Sequence, residues 1–249
     1  MRLDPIEHST RPFVMNDNII IGNGLIAREF RDDIKEDHGL CIFASGVSNS
    51  TCEDTSEFER ESALLRSVMS SRAQGRVLIY FSTCSVYDLS QHKSSMYIRH
   101  KTAMEAIVKN HPGFYIFRLP QVVGHTKNTN TLTNFLKNSI IDSRKIYIQK
   151  FATRNIIDVH DAAKLARTIV ASNSHLNQTI NIANLKSDSV IDIVKIMEKV
   201  LGREAVYELV AAGYAYSIDT TITSSIIEHC NINFDATYTS RTLSKYYSI

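Results

Sequence analysis

A chain of 249 residues, 43% hydrophobic and 22% charged, has the make-up of one large globular domain or of one domain with a small appendage. At that size roughly 70–75% of the unfolded surface can be buried, so the core needs no disulfide or metal staple. The net charge of +2 comes without a basic block, which argues against a nucleic-acid partner, and no apolar run approaches the ~20 residues of a membrane span. The four cysteines, Cys41, Cys52, Cys84 and Cys230, show no Cys-x-x-Cys spacing, and the nine histidines form no metal-like pair. No metal site is expected, and the cysteines suit a reducing cytoplasm.

Met1 to Asn18 mix charged and polar residues without an apolar centre, unlike a signal peptide, and read as an irregular leader. Asn18 to Ile21 then predict a short buried strand and Gly22-Asn23-Gly24 a tight turn. A helix near 24–35 follows, with Ile26, Phe30 and Ile34 at i, i+4, i+8. Leu40 to Gly46 is an apolar run ending in the small residues Ala44, Ser45 and Gly46. A helix is expected over 56–70, with Phe58, Leu64, Leu65, Val68 and Met69 inward, then a strand over 77–83. Met104, Ile107 and Val108 give the inward face of a helix over 96–110. Next come a strand over 114–119, a loop shaped by Pro120 and Gly124, and a helix near 131–142. Strands near 146–149 and 156–159 lead into a helix over 161–172 capped by Asp161. A short strand within Asn177 to Asn184 precedes a helix over 189–201, whose start is marked by the box-like pair Ser189 and Asp192. Alternating strands and helices predict an α/β fold around a mainly parallel sheet. No repeat, low-complexity tract or linker interrupts it.

Two segments carry the chemistry. Phe81-Ser82-Thr83-Cys84-Ser85-Val86-Tyr87 closes a strand, and Tyr97-Ile98-Arg99-His100-Lys101 opens a helix. Tyr97 and Lys101 are four apart and share a helix face, roughly 6 Å apart along the axis. A fixed positive charge near a phenol favours its ionised form, so Lys101 is expected to bring the Tyr97 pKa down. Thr83 can hold a substrate oxygen beside that phenol. This trio suits hydride-transfer enzymes that interconvert alcohols and ketones. Tyr-x-x-x-Lys alone also occurs as a surface pair, so its weight comes from the company it keeps. In Gly22-x-Gly24-x-x-Ala27, Gly22 permits the turn, Gly24 lets a pyrophosphate reach the free N–H groups of a helix start, and Ala27 allows close packing. His100 lies off the Tyr97 face and reads as a surface or dimer contact. Cys84 reads as an incidental small residue.

The order of these segments resembles the extended short-chain dehydrogenase/reductase family, the NAD-dependent sugar-nucleotide epimerases and dehydratases. The glycine turn is similar to Gly22–Ala27, the strand end to Ser82–Tyr87, and the Tyr-x-x-x-Lys with its following Glu to Tyr97, Lys101 and Glu105. The family's Arg-Leu-x-Asn-Val-Tyr-Gly strand is similar to Arg118–Gly124, with Gln121 in place of Asn. Its Arg-Asp-x-Ile-x-Val-x-Asp segment is similar to Arg154–Asp161. The resemblance spans about residues 18–200. It implies a Rossmann-like fold, with Thr83, Tyr97 and Lys101 catalytic and an NAD or NADP cofactor held by Gly22, Asn23, Gly24, Leu25, Ile26, Ala44, Ser45, Gly46 and Lys101. It also implies a nucleotide-sugar substrate against Thr83, Cys84, Ser85, Gln121 and Arg154, and a cytoplasmic homodimer. Residues 1–124 would form the dinucleotide-binding core and 125–249 would complete it and carry the substrate part.

The chain departs from that pattern in two places. Only about three residues separate a helix ending near Lys35 from the run at Leu40, too few for the ~30 residues of a crossover unit. In one alignment Leu40–Gly46 is the family's fourth strand, the second and third are missing, and the adenosine-side half of the sheet is cut away. In the other, Cys41–Ala44 is the second, ribose-reading strand. The second departure lies after Thr83, where Cys84 and Ser85 replace the Asp-Glu pair of the 4,6-dehydratases, which argues against dehydration. The expected activity is keto-sugar reduction or epimerisation. The alternative is a degenerate relative that binds a nucleotide sugar or a protein partner without turnover.

Overall fold

The computed structural model describes residues 18–33, 39–89 and 95–248. The leader 1–17, the stripe position Ile34 and the helix end at Lys35 lie outside the described residues. The chain runs β1 (Ile19–Ile21), α1 (Leu25–Asp33), β2 (Leu40–Phe43), α2 (Thr55–Ser70), β3 (Val77–Thr83), a 3-10 turn (Cys84–Tyr87), α3 (Met96–Val108) and β4 (Phe114–Leu119). It continues through β5 (Gln121–Val123), α4 (Leu132–Ile141), β6 (Ile146–Gln149), β7 (Thr153–Arg154), β8 (Ile156–Asp158), α5 (Val159–Ser172) and β9 (Gln178–Asn181). Last come β10 (Asp188–Ser189), α6 (Val190–Leu201), β11 (Tyr207–Val210), α7 (Thr221–Ile226) and α8 (Tyr238–Tyr247).

The central sheet has the order β1-β2-β3-β4-β9, with every neighbouring pair parallel. Its inner strands β2, β3 and β4 are buried on both faces, as in parallel sheets, and their alternation sorts side chains into two cores. Leu40, Ile42, Ile79, Tyr115 and Phe117 face Phe30 of α1 and Ala162, Ala166 and Ile169 of α5. Cys41, Phe43, Leu78, Tyr80, Phe114 and Ile116 face Leu65 and Val68 of α2 and Met104 and Val108 of α3. The inward faces expected for α2 and α3 are those found, with Leu64, Met69 and Ile107 half-buried at the rim of the second core. This is an α/β, Rossmann-like fold.

The strand order decides between the two alignments. β2 pairs with β1 on one side and with β3 on the other, in register Ile20–Ile42 and Ile42–Ile79. That is the place of a strand beside the Thr83 strand. A ribose-reading second strand would lie across β1 from it. Among the described residues nothing pairs with the outer edge of β1. The connection from β1 to β2 passes through α1 on one face. Those from β2 to β3 and from β3 to β4 pass through α2 and α3 on the other, although all three step the same way across the sheet. The first crossover therefore has the opposite hand from the next two, against the strong preference for one hand. A sheet from which two strands and a helix have been removed, with α1 left on its original face, gives this arrangement.

Beyond β4, β5 pairs with β8, β6 with β11, and β7 with β10. α4, α6 and α8 enclose a third core of Val123, Leu136, Ile140, Ile148, Ile193, Met197 and Leu243. Ser189 caps α6 as expected, accepting from the Asp192 N–H at 3.0 Å, with its hydroxyl donating to the Asp192 carboxylate at 2.6 Å. The start of α5 differs from expectation. Asp158 is its cap, accepting from the His160 N–H at 2.8 Å, and Asp161 sits in the first turn, where it accepts from the Tyr238 hydroxyl. The sequence offers two Asp three apart, and the extended backbone at Asp158 settles which one caps.

Candidate active site

Strand β3, the loop after β2 and the first turn of α1 end on the same side of the sheet, where crevices form beyond the carboxyl ends of parallel strands. A cavity of about 660 Å³ opens there. Gly24, Leu25, Ile26, Ala44, Gly46, Thr83, Ser85, Tyr97, Lys101, Gln121 and Arg154 line it, so it gathers most of the residues that the sequence singled out. Gly22, Asn23, Ser45 and Cys84 do not line it. Cys84 is fully buried behind the wall and donates to the Arg118 carbonyl at 3.4 Å, and burial pushes its thiol well up, which leaves it no nucleophile's role.

The glycine turn is built for close approach. Gly22 has φ +125°, and a Cβ there would stand 2.2 Å from the Ala44 carbonyl oxygen, so the close approach of the turn to the loop after β2 admits only a glycine. A Cβ at Gly24 would meet nothing within 4 Å, which leaves the start of α1 open. The first backbone bond of that helix runs from the Arg28 N–H to the Gly24 carbonyl, so the N–H groups ahead of it are free for an anion at the cavity. The Arg31 guanidinium folds back onto the turn, donating to the Gly22 carbonyl and, at 2.9 Å, to Asn23. These residues fit the phosphate and nicotinamide end of a dinucleotide. At the adenosine end, the described residues supply no strand beyond β1 to make a wall.

Tyr97 is 6% exposed, and its phenol shares the cavity wall with the Thr83 side chain. Burial pushes the phenol up to about 12, against the lowering effect of Thr83, and the Glu61 charge adds to the rise. The net shift is therefore upward, where the Lys101 charge is expected to bring the phenol down, first because the ring is buried and further because of Glu61. Fully buried on α2, its carboxylate takes four donors. The Tyr80 hydroxyl at 2.7 Å and the Lys101 ammonium at 3.0 Å reach Oε1, and the Val47 N–H at 2.7 Å and His100 Nε2 at 2.9 Å reach Oε2. Burial drives Glu61 up, but these donors and the Lys101 charge outweigh it and hold the carboxyl at about 2. Lys101 is drawn below its ordinary value by burial, and the Glu61 charge resists that. Its Nζ also donates to the Tyr80 hydroxyl at 3.1 Å.

His100, read as a surface or dimer contact, is instead an inward member of this cluster. Its side chain is 8% exposed and its ring lies 4.6 Å from that of Phe58. Glu61 escaped the sequence reading altogether. The available signal was an acid one turn beyond Phe58 on the inward stripe of α2, a position where a charge needs a partner. A second buried carboxylate braces the site from below. Glu105 accepts from Ser82 at 2.6 Å and from Arg118 at 2.9 and 2.7 Å, and Arg118 passes on to the Tyr87 hydroxyl at 3.0 Å. β3, α3 and β4 are thereby fixed relative to one another beneath Thr83 and Tyr97.

No family model and no curated protein sequence matches this chain. Solved structures do. The UDP-glucose 4-epimerase of Thermus thermophilus in complex with NAD superposes with a TM-score of 0.63 at 11% identity, over 89% of this chain and 80% of that one. The dTDP-glucose 4,6-dehydratase of Bacillus anthracis in complex with NAD gives 0.62 at 13%, over 91% and 77%. RMD from Pseudomonas aeruginosa complexed with NADPH gives 0.61 at 12%, over 93% and 89%. At such identities the likeness is one of fold. This chain has the fold of the NAD-dependent sugar-nucleotide epimerases and dehydratases, and among the described residues its sheet ends at β1. Among the described residues no helix is long and apolar enough to cross a membrane.

Proposed function

We propose that the protein is an NAD(P)-dependent enzyme acting on a nucleotide-linked sugar, by reduction of a keto-sugar or by epimerisation. The observation that carries the reading is the convergence of Thr83, Tyr97 and Lys101 on one cavity with the glycine turn at its far end. A bound reduced dinucleotide would supply hydride to a sugar carbon. Gly24, Leu25 and Ile26 would hold its phosphates by their backbone, and Ala44, Gly46 and Lys101 its nicotinamide end. Thr83 orients the sugar oxygen, and Tyr97 exchanges a proton with that oxygen. Ser85, Gln121 and Arg154 would grip the substrate, with the part from residue 125 onward closing over it.

The shortened sheet favours a second reading, a nucleotide-sugar or protein binder without turnover. Calorimetry of the purified protein with NAD(H) and NADP(H) separates the two. Because the adenosine end lacks a wall beyond β1 among the described residues, the enzyme reading expects weak binding with little discrimination between the two cofactors. Absence of any binding at millimolar cofactor would reject it.

A further inference from the structure

The Lys101 ammonium has a carboxylate of its own. Glu61 Oε1 lies 3.0 Å from Nζ, and both side chains are sealed from solvent, 0% and 3% exposed. The pair lies directly beneath the cofactor loop, where a Cβ added at Gly46 would stand 2.5 Å from Lys101 Nζ and 2.7 Å from Glu61 Oε1. The neighbouring Val47 N–H is tied to Glu61 Oε2. A lone buried ammonium one helical turn from Tyr97 would favour the phenolate and lower the phenol's pKa. An ion pair at the same place is close to neutral when seen from the ring.

We propose that Glu61 is a positioning residue. By holding Lys101 in a neutral pair it keeps Tyr97 a protonated phenol, so the resting site meets a carbonyl as an acid rather than an alcohol as a base. This rests on the functional reading above and sharpens it to carbonyl reduction. The carbonyl carbon would take up hydride from the reduced nicotinamide dinucleotide of that reading, which is oxidised, and the carbonyl oxygen takes the Tyr97 proton; an alcohol leaves with Tyr97 as phenolate, to be reprotonated from solvent.

The other groups around Tyr97 do not undo this. Thr83 on β3 is a neutral hydroxyl, and the Cys84 thiol after it is pushed well up by burial. Tyr80 on β3 is likewise held as a phenol, by burial first and by Glu61 next. His100 on α3 is engaged by Glu61 itself, and Glu105 on α3 is taken by Arg118 of β4.

The test is a pH titration of the protein carrying ring-labelled ¹³C-tyrosine, with the Tyr97 signal assigned by its loss in Tyr97→Phe. In Glu61→Gln the Lys101 charge stands uncompensated, and the Tyr97 midpoint should fall by at least about one pH unit, a tenfold rise in its dissociation constant. A folded Glu61→Gln whose midpoint is unmoved overturns the proposal, because a merely structural glutamate would lower the melting temperature alone. If Glu61→Gln does not hold the fold, Glu61→Asp withdraws the carboxylate by one carbon. Its midpoint should also fall, by less, and an unmoved one is equally fatal. The readout needs neither cofactor nor turnover. Failure to bind a nicotinamide dinucleotide would therefore sink the functional reading while leaving the link from Glu61 to Tyr97 measurable by itself.

Discussion

Replacing the buried pair by neutral groups of similar size, as Glu61→Gln/Lys101→Met, should change how stability depends on acid. In the fold Glu61 is held at about 2, against an ordinary 4.5. Its folded value is depressed, so its contribution is complete above pH 4.5 and is lost as pH falls through the folded value. At about 1.4 kcal/mol per pH unit, the whole contribution is about 3 kcal/mol, of which about 2 should be gone by pH ~3. Glu61 is fully buried, so solvent screening does not shrink this figure much. The assay is urea unfolding of both proteins from neutral pH down to about pH 3. Exposed carboxylates such as Asp235 and Asp54 titrate alike in the two and cancel in the difference. At neutral pH the double variant can be as stable as the parent, since a buried pair replaced by neutral groups is often tolerated. The informative quantity is the slope. The parent should lose ground to the variant by about 2 kcal/mol between pH 5 and pH 3. A difference that stays flat over that range would mean that Glu61 is not an ionised, four-donor carboxylate, and the reasoning about Tyr97 would lose its footing.

Further outcomes are expected. Tyr97→Phe should cost 100-fold or more in turnover, a typical contribution of a positioned proton donor, with the melting temperature little changed; activity within a few-fold of the parent would remove Tyr97 from catalysis. Thr83→Val should cost less activity but also about 1 kcal/mol of stability, because Thr83 Oγ1 accepts from the Ser85 N–H at 3.1 Å at the start of the 3-10 turn, and thermal unfolding reads that part directly. Arg154→Ala should weaken nucleotide-sugar binding by tenfold or more with dinucleotide binding unchanged, since Arg154 lines the cavity across from the glycine turn and its own backbone is fixed by pairing with Asp188; equal substrate affinity by calorimetry would reject the assignment. The outer face of α3, which carries Arg99, Thr102, Ala103 and Ala106, should pair with α2 and α3 of a second copy, and a monomer in sedimentation at micromolar concentration would count against it.

Much of the fold was legible because burial writes itself into periodicity. The two-sided burial of β2, β3 and β4 gives apolar runs, and the stripe of α3 at Met104, Ile107 and Val108 gives its inward face. What escaped were short elements whose strand character comes from a neighbour. β5 exists as a strand because it pairs with β8, far from it in the chain, and β7 is two residues long. No local pattern marks such segments. The missing strands were legible only as a shortage of chain between Phe30 and Leu40. The sequence could not choose between the two alignments, since both leave an apolar strand at 40–43. The pairing of Ile42 with Ile20 on one side and Ile79 on the other makes the choice.

The site divides in the same way. Thr83, Tyr97 and Lys101 were visible because spacing on one helix and one strand end places them. Their electrostatics were not visible, because the decisive charge comes from α2, 40 residues before Lys101 in the chain. A lysine four residues after a tyrosine suggests a phenol made more acidic. Here burial holds the phenol as an acid up to about pH 12, and the Glu61 carboxylate, 3.0 Å from Lys101 Nζ, adds to that. The sign of the shift at Tyr97 therefore follows from the burial of the ring and from the charge behind Lys101, both tertiary facts. Burial of the ring and the charge of Glu61, which lies outside every motif, therefore weigh more on the protonation of Tyr97 than the Tyr-x-x-x-Lys spacing does.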